Sequence, residues 1–183
     1  MRRRVVLLLV AMVAILVSVS GVALARDFVC DGVSDEDPST GFCEGTSEAD
    51  FITGTSGPET IDARGGSDNV QGFGGQDTIH GRSGQDVLDG GLDSDTLYGE
   101  GSPDSLIGGG GSNVYFGGSG TDTFLAIGGT FDEEIHGGPG NDTIYAADGS
   151  PDVIDCGSGQ DDFVSGDAAL DSVAANCEGR TLS

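Results

Sequence analysis

The chain has 183 residues, of which 31 are acidic, seven are basic and 34 are glycine, and its net charge at pH 7 is −24. Nucleic acids and anionic membrane surfaces repel so acidic a chain, so we expect neither as a partner. The same charge favours divalent cations as ligands.

Residues 1–25 have the three parts of a secretory signal peptide. Arg2, Arg3 and Arg4 form a basic start, an apolar run follows, and Ala23-Leu24-Ala25 is an A-x-A cleavage site. An uncleaved membrane anchor is the alternative, but the run is short for a span of about 20 residues. Cleavage would remove three of the seven arginines and no acid, which leaves a secreted chain of net charge −27 that does not insert into the membrane.

Four cysteines flank the central part of the chain: Cys30, Cys43, Cys156 and Cys177. Paired cysteines suit an oxidising, extracellular compartment. Of the three possible pairings we favour the local one, which would close each end of the central segment with a disulfide. A zinc site is the alternative, but the spacing contains no CxxC pair, and His80 and His136 lie far from every cysteine in sequence.

A nine-residue pattern fills the centre of the chain, and GGPGNDTIY from Gly137 to Tyr145 is a good copy. Thirteen copies fit between Gly45 and Val164. The sixth positions are Asp50, Glu59, Asp68, Asp77, Asp86, Asp95, Asp104, Asn113, Asp122, Glu133, Asp142, Asp152 and Asp161. The eighth positions are Ile52, Ile61, Val70, Ile79, Leu88, Leu97, Leu106, Tyr115, Phe124, Ile135, Ile144, Ile154 and Phe163.

Every eighth position is apolar, which a flexible glycine- and aspartate-rich tract without a fold has no reason to maintain. The copies resemble the repeat-in-toxin (RTX, hemolysin-type) calcium-binding family, whose consensus is GGxGxDxUx. The resemblance covers about two-thirds of the chain. Some copies depart from it, because Glu48, Asp93, Ser102, Phe131 and Ser150 stand where the family has glycine.

The repeat itself predicts an all-β fold. Glycines allow a tight turn, and the three residues after the acid form a short strand whose middle side chain faces inward. Two repeats then complete one coil, and the coils stack into a right-handed parallel β-roll, a β-solenoid with two facing sheets of short parallel strands.

Two repeats per coil bring every second acid to the same edge, so the acids form two ladders. The first ladder consists of Asp50, Asp68, Asp86, Asp104, Asp122, Asp142 and Asp161. The second consists of Glu59, Asp77, Asp95, Asn113, Glu133 and Asp152, and it extends to Asp171 in a degenerate copy. The second ladder also contains two insertions, at Ala126-Ile127 and at Ala146, so the first ladder is expected to be the more regular one.

Stacked carboxylates repel one another unless cations lie between them. Calcium suits such sites, since it accepts 6–8 carboxylate and carbonyl oxygens in flexible geometry. The resemblance implies that aspartates at the sixth position and backbone carbonyls bind Ca²⁺ between adjacent turns. The expected ligands are Asp50, Asp68, Asp86, Asp104, Asp122, Asp142 and Asp161 in the first ladder, and Asp77, Asp95 and Asp152 in the second.

Four segments are therefore expected: a signal peptide (1–25), an N-terminal disulfide cap (26–44), a calcium-binding β-roll (45–174) and a C-terminal cap (175–183). No HExxH or GxSxG motif occurs, so we predict a protein without catalytic activity rather than a protease or lipase. A calcium-dependent adhesive or matrix protein is the main alternative, since Tyr98 and Phe116 would share an outer face. A hydrolase such as a glycosidase is the weaker alternative.

Overall fold

The computed structural model describes residues 26–30 and 41–182, and all regular structure in these residues is β-strand. The strands form two parallel sheets, one of nine strands and one of eight. Strands alternate between the sheets along the chain, so one strand from each sheet completes a coil. The result is the predicted β-solenoid with two facing parallel sheets.

We call the nine-stranded sheet sheet A. Its strands, in spatial order, are β1 (Arg26–Val29), β3 (Asp50–Thr53), β5 (Asn69–Gln71), β7 (Val87–Gly91), β9 (Ser105–Gly109), β11 (Thr123–Leu125), β13 (Thr143–Tyr145), β15 (Phe163–Gly166) and β17 (Gly179–Leu182).

The eight-stranded sheet is sheet B. Its strands, in chain order, are β2 (Phe42–Glu44), β4 (Thr60–Asp62), β6 (Thr78–Ser83), β8 (Thr96–Gly101), β10 (Val114–Ser119), β12 (Glu134–His136), β14 (Val153–Asp155) and β16 (Ser172–Val173). Residues one coil apart are partners in each sheet, as Ile61 is with Ile79 and Leu97 with Tyr115.

The core is a single row of apolar side chains from each sheet. The middle residue of a strand points inward and its neighbours point outward, as the alternation of a strand requires. The predicted eighth-position residues from Ile52 to Ile154 are all buried, with at most 1% of their surface exposed. Each coil buries few side chains, so it depends on the coils on either side.

The last predicted repeat is wrong by one residue. Phe163 is paired with Thr143, and Val164 with Ile144, so Val164 is the core residue and Phe163 faces outward. The cause is Cys156, which occupies the inward position before the turn and is followed by a turn one residue longer than the repeat predicts. The acid of that turn is consequently Asp162 and not Asp161.

Disulfides join Cys30 to Cys43 and Cys156 to Cys177, as predicted. The first lies beside the end strands β1 and β2, and the second links the last coils. Strand β17 pairs with β15, so four residues of the segment expected to cap the C-terminus add a further strand to sheet A.

Across the residues that the structure describes, no helix is long and apolar enough to cross a membrane. The predicted signal peptide lies outside those residues. Tyr98 and Phe116 share the outer face of sheet B, where they stack between His80 and His136 with ring centroids 4.7–4.9 Å apart. The ring faces cover one another, which accounts for these aromatic side chains without an external partner.

Candidate metal sites in two carboxylate ladders

Sixth-position acids line the inside of both edges of the solenoid, where each strand begins. In the first ladder the backbone N–H of each aspartate donates a hydrogen bond to Oδ1 of the aspartate one coil later. The distance from Asp50 N to Asp68 Oδ1 is 2.8 Å, and that from Asp104 N to Asp122 Oδ1 is 2.9 Å. The ladder members are Asp50, Asp68, Asp86, Asp104, Asp122, Asp142 and Asp162, and the bonds between them are unbroken.

The other carboxylate oxygen of the interior aspartates has no hydrogen-bond partner although it is buried. These oxygens belong to Asp68, Asp86, Asp104, Asp122, Asp142 and Asp162 in the first ladder and to Asp77, Asp95 and Asp152 in the second. A buried polar atom without a partner costs about 1–3 kcal/mol, and more when it is charged. The array therefore contains a repeated, uncompensated oxygen ligand.

Backbone carbonyls accompany these free oxygens. A Cβ added to Gly99 would lie 2.6 Å from Asp104 Oδ2 and 2.6 Å from the carbonyl oxygen of Gly117. The same arrangement recurs at Gly117, beside Asp122 and the carbonyl of Gly137. Glycine is required at these positions because the carboxylate and carbonyl oxygens leave no room for a side chain.

The second ladder is interrupted, as the sequence predicted. In this ladder the backbone N–H of Glu59 donates to Asp77, that of Asp77 donates to Asp95, and that of Asp95 donates to Asn113. Within residues 41–182 no such bond joins Asn113 to Glu133. The ladder resumes from Glu133 to Asp152 and ends at Asp171. The one side-chain oxygen of Asn113 accepts the N–H of Asp95, and its Nδ2 donates to the carbonyl of Gly111 at 3.0 Å. Asn113 therefore has no second side-chain oxygen for a cation.

Both ladders are closed by local partners at their first members. Asp50 accepts hydrogen bonds from the N–H and hydroxyl of Thr46, and Glu59 accepts them from Thr55. The sequence analysis missed these threonines, although each lies four residues before its acid.

The C-terminal ends are closed in a similar way. Glu178 accepts from Asp162 N at 3.3 Å, and Asp171 accepts from both Asp152 N and Asp167 N. Glu178 was also missed, because it lies beyond the last recognisable repeat. Asp161, which was predicted as a ligand, is exposed beside the ladder and its position is taken by Asp162.

Burial makes these carboxyl groups reluctant to ionise. It raises the pKa of Asp86 to about 6 and that of Asp104 to about 7, against the opposing effect of the N–H donor. Among the described residues Arg64 and Arg82 pair on the outside with Glu44, Asp62 and Glu100. Arg180 donates to the carbonyls of Cys177 and Ala174. None of Arg64, Arg82 and Arg180, the arginines whose side chains the structure describes, is therefore paired with a ladder carboxylate.

Carboxylate and carbonyl oxygens are the donor set that calcium prefers, so the residues present fit this ion. The ladder aspartates would hold it, together with carbonyls of the glycine turns, and the ion would neutralise the buried charges. The alternative of a zinc site fails, because all four cysteines are in disulfides.

The sequence profile of the RTX calcium-binding nonapeptide repeat matches the chain four times, over residues 44–72, 53–88, 89–124 and 127–162. No curated protein and no solved structure gives a significant match. The profile matches cover well over half of the chain and coincide with the coils that carry the ladders. The chain is therefore a member of the RTX calcium-binding nonapeptide repeat family.

Proposed function

We propose that this protein is a secreted calcium-binding β-roll that completes its folding when it binds Ca²⁺ and that has no catalytic activity of its own. The observation that carries the proposal is the row of buried carboxylate oxygens without partners. These oxygens would bind calcium ions between the coils, and binding would remove the free-energy cost of burying them without a partner.

The energetic balance supports calcium-dependent folding. Unit charges about 4 Å apart repel by about 1 kcal/mol in water and about 4 kcal/mol near a protein surface. One N–H donor offsets part of this repulsion at each interior aspartate, but the second carboxylate oxygen accepts no hydrogen bond. Since each coil buries only one large apolar side chain per sheet, the core contributes little stability per coil, and the binding energy of calcium becomes folding energy.

The ligands we propose are the interior aspartates of the first ladder and Asp77, Asp95 and Asp152 of the second. Asp50 is retained as an end ligand, with its carboxylate shared with Thr46. Asp162 replaces Asp161, since only Asp162 occupies the ladder.

The test is a calcium titration of the mature protein from Arg26 onward, followed by far-UV circular dichroism. We expect a weaker β signal in chelator, from a partly folded and less stable protein, and cooperative completion of folding with a midpoint at about 10⁻⁴–10⁻³ M calcium, the range of extracellular modules. Magnesium at the same concentrations serves as the control and should be much less effective, because it demands a tighter octahedral site. An unchanged β signal in chelator, with no heat of calcium binding, would refute the proposal.

Secretion is tested separately. The disulfides are compatible with an extracellular location, and cleavage after Ala25 predicts a protein in the medium that begins at Arg26. N-terminal sequencing of the secreted form, with an Ala23→Arg/Ala25→Arg precursor as the control, decides between cleavage and an uncleaved anchor.

A further inference from the structure

The outer face of sheet A carries very little of the charge of this chain. Each strand of the sheet from β5 to β17 places two residues on this face, one on either side of the inward-pointing residue. The structure describes all seven of these strands, and Asp89 is the only charged residue at their outer positions, although the chain has 31 acids. The outer face of sheet B differs, because Glu134 and Asp155 lie on it in the same part of the stack.

Two columns of side chains run along this face from β7 to β15, because residues one coil apart are paired. The first column consists of Asp89, Ile107, Leu125, Tyr145 and Ser165. The second column consists of Val87, Ser105, Thr123, Thr143 and Phe163.

The first column is symmetric about β11. Leu125 lies at its centre. The apolar residues Ile107 and Tyr145 lie one strand away on either side. The polar residues Asp89 and Ser165 lie two strands away. The column therefore has the same order of apolar and polar side chains in both directions.

The second column has the same symmetry. Thr123 lies at its centre, and the hydroxyl residues Ser105 and Thr143 lie one strand away on either side. Two strands away lie Val87, which is 38% exposed, and Phe163, which is 36% exposed. Each kind of side chain thus recurs at equal distances on both sides of β11.

A face with this symmetry is complementary to a second copy of itself. A two-fold axis that lies along β11, in the plane of the interface, places each column against the same column of the second copy with the coils in the opposite order. Leu125 then faces Leu125 of the second copy, and Ile107 faces Tyr145. The hydroxyl of Ser165 faces Asp89 and can donate a hydrogen bond to its carboxylate, so the one charged group of the face also gains a partner.

The aromatic residues of the face are available for such a contact. Tyr145 is 40% exposed, and its ring meets that of Phe163 with centroids 6.5 Å apart and planes at 62°. These two rings do not cover one another as the stacked rings on sheet B do.

We propose that the outer face of sheet A is the interface of a two-fold symmetric dimer, in which two copies of this chain pack antiparallel with Leu125 on the axis. The proposal rests on the proposed function only in that calcium completes the coils that form the face. Copies of so acidic a chain repel one another, and this face allows them to approach without opposing their acids. Salt screens the remaining repulsion, so the dimer should become stronger as the ionic strength rises.

The size of the face indicates a weak dimer. Seven strands about 4.8 Å apart, on a face about 15–20 Å wide, offer about 500–650 Å² per copy. A standard interface buries about 800 Å² per partner, and smaller ones belong to weak or transient complexes. Association is therefore expected at micromolar concentrations and above.

The experiment is sedimentation equilibrium of the mature protein in millimolar calcium, at about 1–500 μM protein, the range in which so small an interface should dissociate. We expect a monomer–dimer equilibrium without larger species, since a two-fold contact closes on itself. The dimer fraction should increase when sodium chloride is raised from about 0.05 M to about 0.5 M. A monomer at every concentration, or a dimer that salt dissociates, would overturn the proposal.

Single variants test the position of the axis. Leu125→Asp and Leu125→Arg each bring two like charges together on the axis, and a two-fold interface carries every change twice, so each should weaken the dimer at least about 100-fold. Thr96→Asp adds the same charge to the outer face of sheet B and is the matched control, which should dimerise like the wild type. Circular dichroism in calcium verifies that each variant is folded.

Mixing the two Leu125 variants separates loss of the interface from loss of the fold. In an equal mixture of Leu125→Asp and Leu125→Arg, opposite charges face one another across the axis, so a heterodimer should form although neither variant associates alone. A misfolded variant would not be restored by mixing. A mixture that stays monomeric would show that Leu125 does not face itself and would overturn the proposal.

The outcomes also separate this inference from the proposed function. A protein that gains its β signal with calcium but stays monomeric retains the proposed function and refutes the dimer. If the β signal is the same in chelator and no calcium binds, the proposed function fails, and sedimentation of the folded metal-free protein decides on the dimer. A protein without β signal in either condition would refute both.

Discussion

A ladder aspartate has two tasks, one for each oxygen. In Asp104, Oδ1 accepts the N–H of Asp86 at 2.9 Å, while Oδ2 is buried without a partner. The first task is structural and needs no charge, since an asparagine could perform it, as Asn113 does for Asp95. Only the second task needs a carboxylate, and this separation can be tested by exchanging aspartate and asparagine.

We expect Asp104→Asn to stabilise the metal-free protein and to weaken its response to calcium. The pKa of Asp104 is raised to about 7 by burial, and each pKa unit corresponds to about 1.4 kcal/mol, so removing the charge should stabilise the metal-free form by about 2–4 kcal/mol. Urea denaturation with and without calcium measures both effects. Asn113→Asp is the reciprocal variant and should show the opposite pair of changes. An unchanged calcium midpoint in Asp104→Asn would mean that Oδ2 does not bind the ion.

The turn glycines make a second prediction at this scale. A Cβ at Gly99 would lie 2.6 Å from Asp104 Oδ2 and from the Gly117 carbonyl, whereas one at Gly110 would lie 3.8 Å from its nearest neighbour, Leu92. Gly99→Ala should therefore cost about 1–3 kcal/mol through overcrowding and should also raise the calcium midpoint. Gly110→Ala, with the same change in composition, should do neither. Equal midpoints for the two variants would show that the space at Gly99 is not part of a binding site.

Among the elements, the end coils differ most from the rest. The disulfide between Cys156 and Cys177 has a sequence separation of 21 residues and encloses β15 and β16. Strand β16 has only two residues, so the last coil of sheet B has few hydrogen bonds of its own. The covalent link compensates for this weak end.

Replacing both Cys156 and Cys177 by serine should destabilise the protein by about 2–4 kcal/mol, the usual effect of losing such a cross-link. The loss should be local. Hydrogen exchange should accelerate in β14 to β17 and remain slow in β6 to β10, which lie in the middle of the stack. Uniform acceleration along the chain would indicate that the coils unfold together and that the disulfide does not protect one end.

The regular elements could be predicted from the sequence because their period is short and strict. The positions from Ile52 to Ile154 were predicted as core residues by counting in nines, and the structure confirms all of them. The prediction fails after Cys156, where the turn has one added residue. The next strand still forms, but each of its residues lies one position later than the repeat predicts. Counting cannot detect this, because Asp161 and Asp162 are both acidic and Phe163 and Val164 are both apolar.

The contacts that close the ladders were harder to predict. Thr46 and Thr55 each donate hydrogen bonds to the acid four residues later in the same turn. A threonine stands at this position only in the first two copies of the repeat. Glu178 belongs to an irregular segment, where the repeat gives no information on which side chains point inward. Sequence periodicity thus predicted the interior of the array, and tertiary contacts determined its ends.

For the whole molecule, pH should act in opposite directions with and without calcium. The folded pKa values of Asp77 and Asp104 are about 7 and those of Asp86 and Asp142 about 6, against about 3.9 in an unfolded chain. The metal-free folded state therefore binds more protons than the unfolded state between about pH 4 and 7, and its stability falls as pH rises through that window. Arg82 lowers the pKa of Asp62, which makes the contribution of this group to stability rise with pH, but Asp62 is a single carboxylate in an outer ion pair.

In the presence of calcium the stability should rise with pH, since protons compete with the ion for the same oxygens. We expect the melting temperature in chelator to be higher at pH 5 than at pH 8, and the melting temperature in millimolar calcium to be higher at pH 8. Differential scanning calorimetry at the two pH values measures both slopes. Slopes of the same sign in the two conditions would contradict the assignment of the ladder carboxylates as calcium ligands.

The ladder hydrogen bonds also have a direction, and it bears on how the chain is made. In every link the N–H belongs to the earlier coil and the accepting side chain to the later one, as in the bond from Asp86 to Asp104. A ribosome delivers the earlier coil first, so the ladder N–H group of the newest coil lacks its acceptor until the next coil emerges. Only the acids of the final turns, Asp171 and Glu178, complete the series. The two ladders therefore cannot be completed until the C-terminal residues of the chain have been synthesised.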